Sequence, residues 1–192
     1  IYSSPTLDDT LLELLFRGAI YVQDAGSQLV ATAVSKLIDL RFLDVCASPG
    51  GKTGLIAMLR PEIQVTAGDI TKNRIDILHD NLAAQGCRNV EIRQYNAEME
   101  MPFDRESFDT VFVDAPCSGT GTIRHNPEIR YRATEDELVR HSNRQLAILR
   151  NASELVKADG TLVFSTCSLE AAENEDVVER FLSEDERFAV CE

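Results

Sequence analysis

The sequence predicts an α/β fold in which helices cover both faces of a mostly parallel, doubly wound sheet. Short runs rich in β-branched and aromatic residues alternate with longer amphipathic runs from residue 41 onward. A glycine turn follows the first strand-like run, and acidic residues or cysteines follow three of the others. Strands that alternate with helices form parallel sheets with right-handed crossovers, and ligands bind at the carboxyl ends of those strands.

The elements are predicted in the following order. A helical stretch over residues 7–16 and an amphipathic helix over residues 27–38 make residues 1–40 a helical lead-in to a core over residues 41–192. In the core, strands are expected near residues 41–45, 64–69, 90–94, 109–113 and 161–166, and helices near 53–60, 72–85, 134–157 and 171–183. Residues 188–191 are a candidate sixth strand, and no hairpin strand follows them. We therefore expect a core cut from a longer protein before its last strand.

Composition indicates one soluble domain in a reducing compartment. A chain of 192 residues with 44% hydrophobic residues can bury one substantial core, and it contains no apolar span or signal peptide. Five cysteines without Cys-x-x-Cys spacing argue against a zinc site and a disulfide framework, so a cytoplasmic location is expected. We interpret Cys46, Cys87 and Cys191 as small buried hydrophobic residues. The spacing of His79, His125 and His141 offers no metal cluster, so no metal is expected.

A glycine turn, Gly50-Gly51-Lys52-Thr53, separates the first strand from the first core helix. Glycines let the backbone approach a ligand closely, and the amides at a helix N-terminus attract anionic groups. Asp69 ends the next strand about twenty residues later, where a carboxylate can accept hydrogen bonds from ribose hydroxyls. The glycine spacing fits neither the dinucleotide-binding pattern nor a P-loop. S-adenosylmethionine is therefore the favoured cofactor, and a plain tight turn is the alternative.

Two cysteines, Cys117 and Cys167, each come just after a strand-like run. Both would lie at the ligand-binding edge of the sheet, which suggests covalent catalysis. A free thiol with a pKa near 8.5 is only a few per cent ionised at neutral pH, so such a site must favour the thiolate. Two structural thiols at strand ends are the alternative interpretation.

Several longer motifs occur in an order that is typical of one family. They are Phe16-Arg17-Gly18, residues 21–30, the glycine turn, residues 114–121, His125-Asn126-Pro127-Glu128-Ile129-Arg130, Thr166-Cys167-Ser168-Leu169 and Glu173-Asn174-Glu175. With them the chain resembles the Nop/Sun family of RNA cytosine-5 methyltransferases, most closely its bacterial ribosomal RNA enzymes of the Rsm type B (Fmu) kind. The resemblance implies a Rossmann-like class I SAM-dependent methyltransferase domain with a seven-stranded sheet. It also implies methylation of cytosine carbon 5, with ribosomal RNA as the expected substrate.

The resemblance assigns roles to particular residues. Cys167 would attack cytosine carbon 6, Cys117 would assist release of the methylated base, and Asp114 would hold or protonate the ring edge. Lys52 is one source of positive charge for the thiolate. In DNA cytosine methyltransferases the attacking cysteine follows a proline, which would point to Cys117 instead. The residues expected to bind S-adenosylmethionine are Cys46, Ala47, Ser48, Pro49, Gly50, Gly51, Lys52, Asp69, Asn96 and Asp114. Asn96 stands where the family usually has an acidic residue that contacts adenine.

The net charge of −13 argues against an RNA-binding protein, because phosphate contacts drive nucleic-acid affinity. We interpret the acidic runs, including residues 173–176, as solvated helix faces. A group of basic residues after Cys117 could line an RNA groove, or could be a surface of ordinary mixed charge. This group comprises Arg124, His125, Arg130, Arg132, Arg140, His141 and Arg144. A transfer RNA or DNA methyltransferase, and an RNA-binding scaffold without turnover, remain the alternatives. A monomer is expected.

Overall fold

The computed structural model describes residues 9–191 and confirms the predicted α/β architecture. Within that range, five parallel strands form one sheet in the order β3-β2-β1-β4-β5. The strands are β1 Arg41–Asp44, β2 Gln64–Asp69, β3 Val90–Gln94, β4 Phe108–Asp114 and β5 Val156–Ser165. The chain builds outward from β1 to β3 and then crosses back to β4. The direction of winding therefore changes between β1 and β4, where open α/β sheets form a ligand-binding crevice.

The predicted helices are present with shifted ends. They are α1 Asp9–Phe16, α2 Ala25–Ser35, α3 Gly51–Leu59, α4 Lys72–Ala84, α5 Glu135–Ser153 and α6 Glu175–Glu184. Residues 7 and 8 of the predicted first helix lie outside the described range. Short 3-10 helices occur at Thr120–Thr122, Pro127–Tyr131 and Ala171–Glu173, and the last of these replaces the first turn of the predicted helix over residues 171–183.

The fifth strand begins earlier than the apolar run predicts. Val156 already pairs with Phe108, but the next pair is Thr161 with Thr110. The register between β4 and β5 therefore shifts between these two pairs. Asp159 adopts a positive φ of 62° in this irregular stretch. The predicted helix over residues 134–157 consequently ends at Ser153, because the chain turns directly into β5.

Side chains alternate between the two faces of the sheet, as the period of a strand requires. Leu43 of β1 and Val111 of β4 are completely buried on the face that α5 and α6 cover. Phe42 and Phe112 are completely buried on the other face, against α2 and α3, with their ring centroids 6.4 Å apart. Both faces of the central strands are therefore apolar, which explains why these strands read as continuous hydrophobic runs.

The N-terminal helices differ in how they join this core. Ala31 and Val34 of α2 are buried against the sheet, in the same cluster as Ile56 of α3. Helix α2 thus contributes to the core of the described domain. The predicted boundary between a lead-in and a core at residue 40 stays a prediction.

The predicted sixth strand does not form: residues 188–191 have no strand geometry. The side chain of Phe188 packs against Phe181 of α6, with ring centroids 5.5 Å apart, and its backbone amide closes a turn with Asp185. The chain is therefore directed onto α6 rather than along the edge of β5. Over residues 9–191, none of the helices combines the length and the apolar character that crossing a membrane would require.

Candidate active site

The loop between β1 and α3 is shaped by glycines, as predicted. Gly50 has a φ of 101°, and a Cβ atom there would lie 2.9 Å from Leu78 Cδ1. A Cβ atom on Gly51 would lie 3.0 Å from a ring carbon of Tyr21. The Ala47 amide donates to the Gly68 carbonyl of the neighbouring strand at 2.9 Å, which fixes the loop at the end of β2. Neither glycine position has room for a larger residue without movement of a neighbour.

Asp69 is buried at the carboxyl end of β2 and already has several partners. Its Oδ2 accepts from the Ser48 amide at 3.0 Å, while its Oδ1 accepts from the Ile70 amide at 2.8 Å and from Arg74 Nε at 2.6 Å. Each carboxylate oxygen has two acceptor positions, so Oδ2 retains one position for a further donor. Arg74 also donates to the Ser48 carbonyl at 2.9 Å and thereby links α4 to the loop between β1 and α3.

A cavity of about 300 Å³ extends from the loop between β1 and α3 to Cys117 and Cys167. It has both apolar walls, such as Ile70 and Ile148, and polar groups. The predicted site residues that line it are Cys46, Ser48, Asp69, Asn96, Asp114, Cys117 and Cys167. A second cavity of about 210 Å³ lies against the same loop and is lined by Ala47, Pro49, Gly51 and Lys52. Gly50 lines neither cavity and instead contacts α4.

Lys52 and Asp114 form an ion pair in the crevice. Lys52 Nζ lies 2.6 Å from Asp114 Oδ2, and Ser165 Oγ donates to Asp114 Oδ1 at 2.8 Å. Both charged side chains are about three quarters buried or more, with exposed fractions of 19% and 27%. A positive and a negative group thus lie together, close to the cysteines at the ends of β4 and β5.

The two candidate catalytic thiols are in contact, with Cys117 Sγ and Cys167 Sγ 3.2 Å apart. The hydrogen bond from Cys117 lowers the pKa of Cys167 to about 7, and the charge of Lys52 acts in the same direction. The same hydrogen bond, together with burial, raises the pKa of Cys117 well above its usual value. Cys167 is the more exposed of the two, so it is better able to carry the charge. Burial and exposure therefore favour Cys117 as the donor and Cys167 as the sulfur that ionises more readily.

The other three cysteines have no such environment. Cys46 and Cys87 are part-buried, and burial raises the pKa of both thiols. The prediction of a small buried residue is wrong for Cys191, which is exposed because the segment after α6 lies on the surface.

Sequence reasoning missed several residues of the site. Arg74 and Glu98 line the cavity of about 300 Å³. Glu98 Oε1 lies 2.7 Å from Nε of Arg144, which also lines this cavity and was expected only in an RNA groove. Asp44 is 1% exposed, and burial raises its pKa to about 7, although Thr53 Oγ1 donates to its Oδ2 at 2.6 Å. The only sequence signals were the position of Asp44 at the end of β1 and of Arg74 five residues after Asp69.

Glu173 contradicts the interpretation of residues 173–176 as a solvated face. Its side chain is completely buried, whereas Glu175 and Asp176 are exposed. The 3-10 helix at Ala171–Glu173 turns the Glu173 carboxylate inward, toward the loops that carry the two cysteines. Polarity along the sequence could not reveal this, because its neighbours in the run point outward.

The basic residues expected in an RNA groove fall into two sets. Arg124, His125, Arg130 and Arg132 are exposed. Tyr131, between the last two, has an exposed fraction of 81%, and Ile129 of the same segment lies against Gly119 of the Cys117 loop. A neighbouring cavity of about 440 Å³ is lined by residues of α5 and by Glu98, and it shares Glu98 and Arg144 with the cavity of about 300 Å³. The members of the predicted group found there are Arg140, His141 and Arg144. The expectation that both sets contact RNA stays a prediction.

Known proteins are similar to this chain over most of its length. The family model described as 16S rRNA methyltransferase RsmB/F matches residues 34–192. The probable ribosomal RNA small subunit methyltransferase B of Bacillus subtilis (strain 168) is 37% identical over 169 residues, covering 87% of this chain and 38% of that protein. The ribosomal RNA small subunit methyltransferase B of Klebsiella pneumoniae (strain 342) is 36% identical over 167 residues, covering 86% and 38%. The chain thus spans well under half the length of these relatives.

Solved structures show the same similarity in three dimensions. NSun6 from Pyrococcus horikoshii with SFG, an analogue of S-adenosylmethionine, superposes with a TM-score of 0.81 at 28% identity, covering 94% of this chain and 46% of that one. A methyltransferase homolog protein from the same organism gives a TM-score of 0.75 at 32% identity, covering 94% and 56%. Sequence motifs, fold and both comparisons agree, and the chain belongs to the RsmB/F family of 16S rRNA methyltransferases.

Proposed function

We propose that this domain transfers a methyl group from S-adenosylmethionine to carbon 5 of a cytosine in ribosomal RNA, through a covalent adduct with Cys167. The observation that carries this proposal is the pair of thiols 3.2 Å apart at the end of the cavity that also contains Asp69 and Asp114. Such a pair supplies two different sulfur functions, one ionised and one protonated, within reach of a single base.

The residues along the cavity suit a nucleoside cofactor. The remaining acceptor position on Asp69 Oδ2 can receive a ribose hydroxyl, and Asn96 is exposed at the cavity wall, where its amide can meet the adenine. The bound cofactor supplies an electrophilic methyl group on sulfur. Asp114, paired with Lys52, lies between that cavity and the second one along the glycine loop, in reach of the methionine end.

Attack requires a thiolate, because cytosine carbon 5 is a poor nucleophile until sulfur has added to carbon 6. With a pKa of about 7, Cys167 is about half ionised at neutral pH, against a few per cent for an unperturbed thiol. Formation of the bond between Cys167 Sγ and carbon 6 moves the electron pair of the ring double bond to carbon 5. Asp114 and Lys52 lie where they can hold the ring edge that gains this charge.

Release reverses the addition after the methyl group has joined carbon 5. The proton on carbon 5 must leave, its electron pair must reform the ring double bond, and the bond between carbon 6 and Cys167 Sγ must break to return the thiolate. We assign Cys117 to promote this proton loss, because its sulfur is in contact with the attacking sulfur. Once Cys167 is bonded to carbon 6 it is no longer a thiolate that Cys117 must donate to, so Cys117 can release its own proton to water and then accept the proton from carbon 5. The two cysteines therefore act in different steps.

RNA is the partner that family membership implies for this domain, and we infer a monomer acting in the cytoplasm. The exposed segment with Arg124, Arg130 and Arg132 supports RNA contact, since arginines neutralise phosphate and the exposed Tyr131 ring can stack on a base. The cysteines are free thiols, as a reducing compartment would keep them. Size-exclusion chromatography tests the monomer, since a dimer peak at micromolar protein would contradict it.

Replacement of each cysteine should cause a different defect in the reaction. Cys167→Ser should abolish methyl transfer and leave no covalent protein–RNA species, because a serine hydroxyl is far less ionised than a thiol. Cys117→Ala should still form the adduct but release it slowly, so that a gel-stable, cofactor-dependent complex accumulates. The measurement is denaturing gel electrophoresis after incubation with S-adenosylmethionine and unmodified small-subunit ribosomal RNA.

Three other outcomes would change the assignment. Adducts trapped by Cys167→Ser and absent in Cys117→Ala would move the nucleophile to Cys117, as in DNA cytosine methyltransferases. If transfer RNA or DNA is methylated and ribosomal RNA is not, the proposed mechanism still holds but the proposed substrate is wrong. A complete lack of methyl transfer to every nucleic acid, with RNA binding retained, would favour the scaffold.

A further inference from the structure

Each catalytic cysteine is followed by a serine, and both serines converge on one buried carboxylate. Glu173 Oε2 accepts from Ser168 Oγ at 2.6 Å and also from Ser118 Oγ. Glu173 Oε1 accepts from the Ser118 backbone amide at 2.8 Å. Glu173 belongs to the connection between β5 and α6 that carries Cys167, and its carboxylate ties this connection to the residue after Cys117.

Helix α5 completes this arrangement with a fourth donor. Gln145 is completely buried, and its Nε2 lies 3.2 Å from Glu173 Oε1 and 3.0 Å from the Pro116 carbonyl. A carboxylate has about four acceptor positions, so these donors use its full capacity. Burying a carboxylate is unfavourable unless hydrogen bonds satisfy it. A buried carboxylate with all of its acceptor positions used therefore lies where the residues after the two cysteines meet.

The two loops depend on Glu173 to different degrees. The residue after Cys167 has anchors within its own segment, because the Ser168 amide donates to Thr166 Oγ1 at 3.0 Å and Asn174 Nδ2 donates to the Ser168 carbonyl at 3.1 Å. At Ser118, by contrast, the backbone amide and the hydroxyl both donate to Glu173. Removal of the carboxylate would free the residue next to Cys117 more than the residue next to Cys167.

We propose that Glu173 is a positioning residue that holds Cys117 against Cys167, and that product release depends on it more than attack does. The inference rests on the proposed function, because it assigns attack and release to different thiols. A displacement of about 1 Å can reduce the rate of a step by about a hundredfold. Loss of Glu173 should therefore slow the step in which Cys117 acts by tenfold or more.

The test compares Glu173→Ala with wild type in the full chain, using unmodified small-subunit ribosomal RNA and radiolabelled S-adenosylmethionine. Single-turnover methylation measures attack, and decay of the gel-stable adduct measures release. We expect adduct decay to slow at least tenfold and cofactor affinity to stay unchanged. Single-turnover methylation measured at pH 9 should slow less than threefold, because Cys167 ionises at that pH even without the hydrogen bond from Cys117. Glu173→Gln should restore release, since the carboxamide keeps one acceptor for the Ser118 amide and the serine hydroxyls can rotate to accept.

Two controls separate positioning from a general loss of stability. Phe181→Leu alters a buried residue of α6 away from the thiols, and it should destabilise the domain without changing adduct lifetime. Ser118→Ala keeps the carboxylate and removes one donor, so it should slow release by a smaller factor even if Glu173→Ala does not fold. Equal slowing of attack and release in Glu173→Ala, or normal release in both Glu173→Ala and Ser118→Ala, would overturn the proposal.

Failure of the proposed function would look different. Cys117→Ala belongs in the same gel, because it must accumulate adduct if the two-thiol chemistry is correct. When Cys117→Ala traps the adduct and Glu173→Ala does not, only the positioning role is wrong. When no variant traps an adduct, the chemistry itself is wrong.

Discussion

Cys117→Ala should change the pH dependence of attack as well as the release of product. The hydrogen bond from Cys117 is the largest cause that lowers the pKa of Cys167 from 9.0 to about 7. Without that donor, the Cys167 pKa should move back toward 9. At pH 7 the thiolate fraction would then fall from about one half to about 1%, which is up to about a fiftyfold loss of attack rate. At pH 9 the loss should shrink to about twofold.

The assay is single-turnover methylation of small-subunit ribosomal RNA between pH 6 and pH 9.5, because a single turnover does not require release. Cys117→Ser is the matched control, since its hydroxyl can donate a similar hydrogen bond to the thiolate but cannot replace the thiol in release. We expect an apparent pKa near 7 for wild type and Cys117→Ser, and a higher one for Cys117→Ala. An unchanged pH profile in Cys117→Ala would refute the claim that the neighbouring thiol activates Cys167.

Two further predictions concern buried aspartates. Asp69→Ala should weaken S-adenosylmethionine binding by roughly 1.5 to 3 kcal/mol, about tenfold or more, because charged hydrogen bonds to ribose are lost; calorimetry showing equal affinity for Asp69→Ala, wild type and the exposed control Asp76→Ala would contradict it. Asp44→Asn should stabilise the fold at pH 8 by up to about 4 kcal/mol, since burial raises the Asp44 pKa from 3.8 to about 7.

The sign of the Asp44 effect follows from the direction of that shift. A carboxyl group whose folded pKa lies above its unfolded pKa binds its proton more tightly when folded. Its contribution to stability is therefore present below about pH 4 and is lost as the pH rises toward 7. Urea unfolding of wild type and Asp44→Asn at pH 5 and pH 8 should show an advantage for the variant that grows with pH. An advantage independent of pH would mean that Asp44 is not the titrating group.

Local sequence determined the fold class and the place of the site. The alternation of strand-like and helical runs predicted the parallel sheet, because apolar periodicity depends only on which faces of an element are covered. Asp69, Cys117 and Cys167 were found because they lie at the end of a predicted strand or just after one, and the ends of parallel strands meet at one edge of a sheet. Asp114 was assigned from the family resemblance. The sequence also predicted the glycine turn, because a positive φ such as that of Gly50 is adopted most easily by glycine.

Tertiary structure alone decided the contacts that give these residues their chemistry. The 3.2 Å separation of the two sulfurs and the Lys52–Asp114 ion pair join residues at least 50 positions apart, and no local pattern encodes such distances. The burial of Glu173 and the packing of Phe188 on α6 were mispredicted for the same reason. A polar or apolar residue has the same letter on either face of its element, and only the packing of distant elements determines which face becomes the interior.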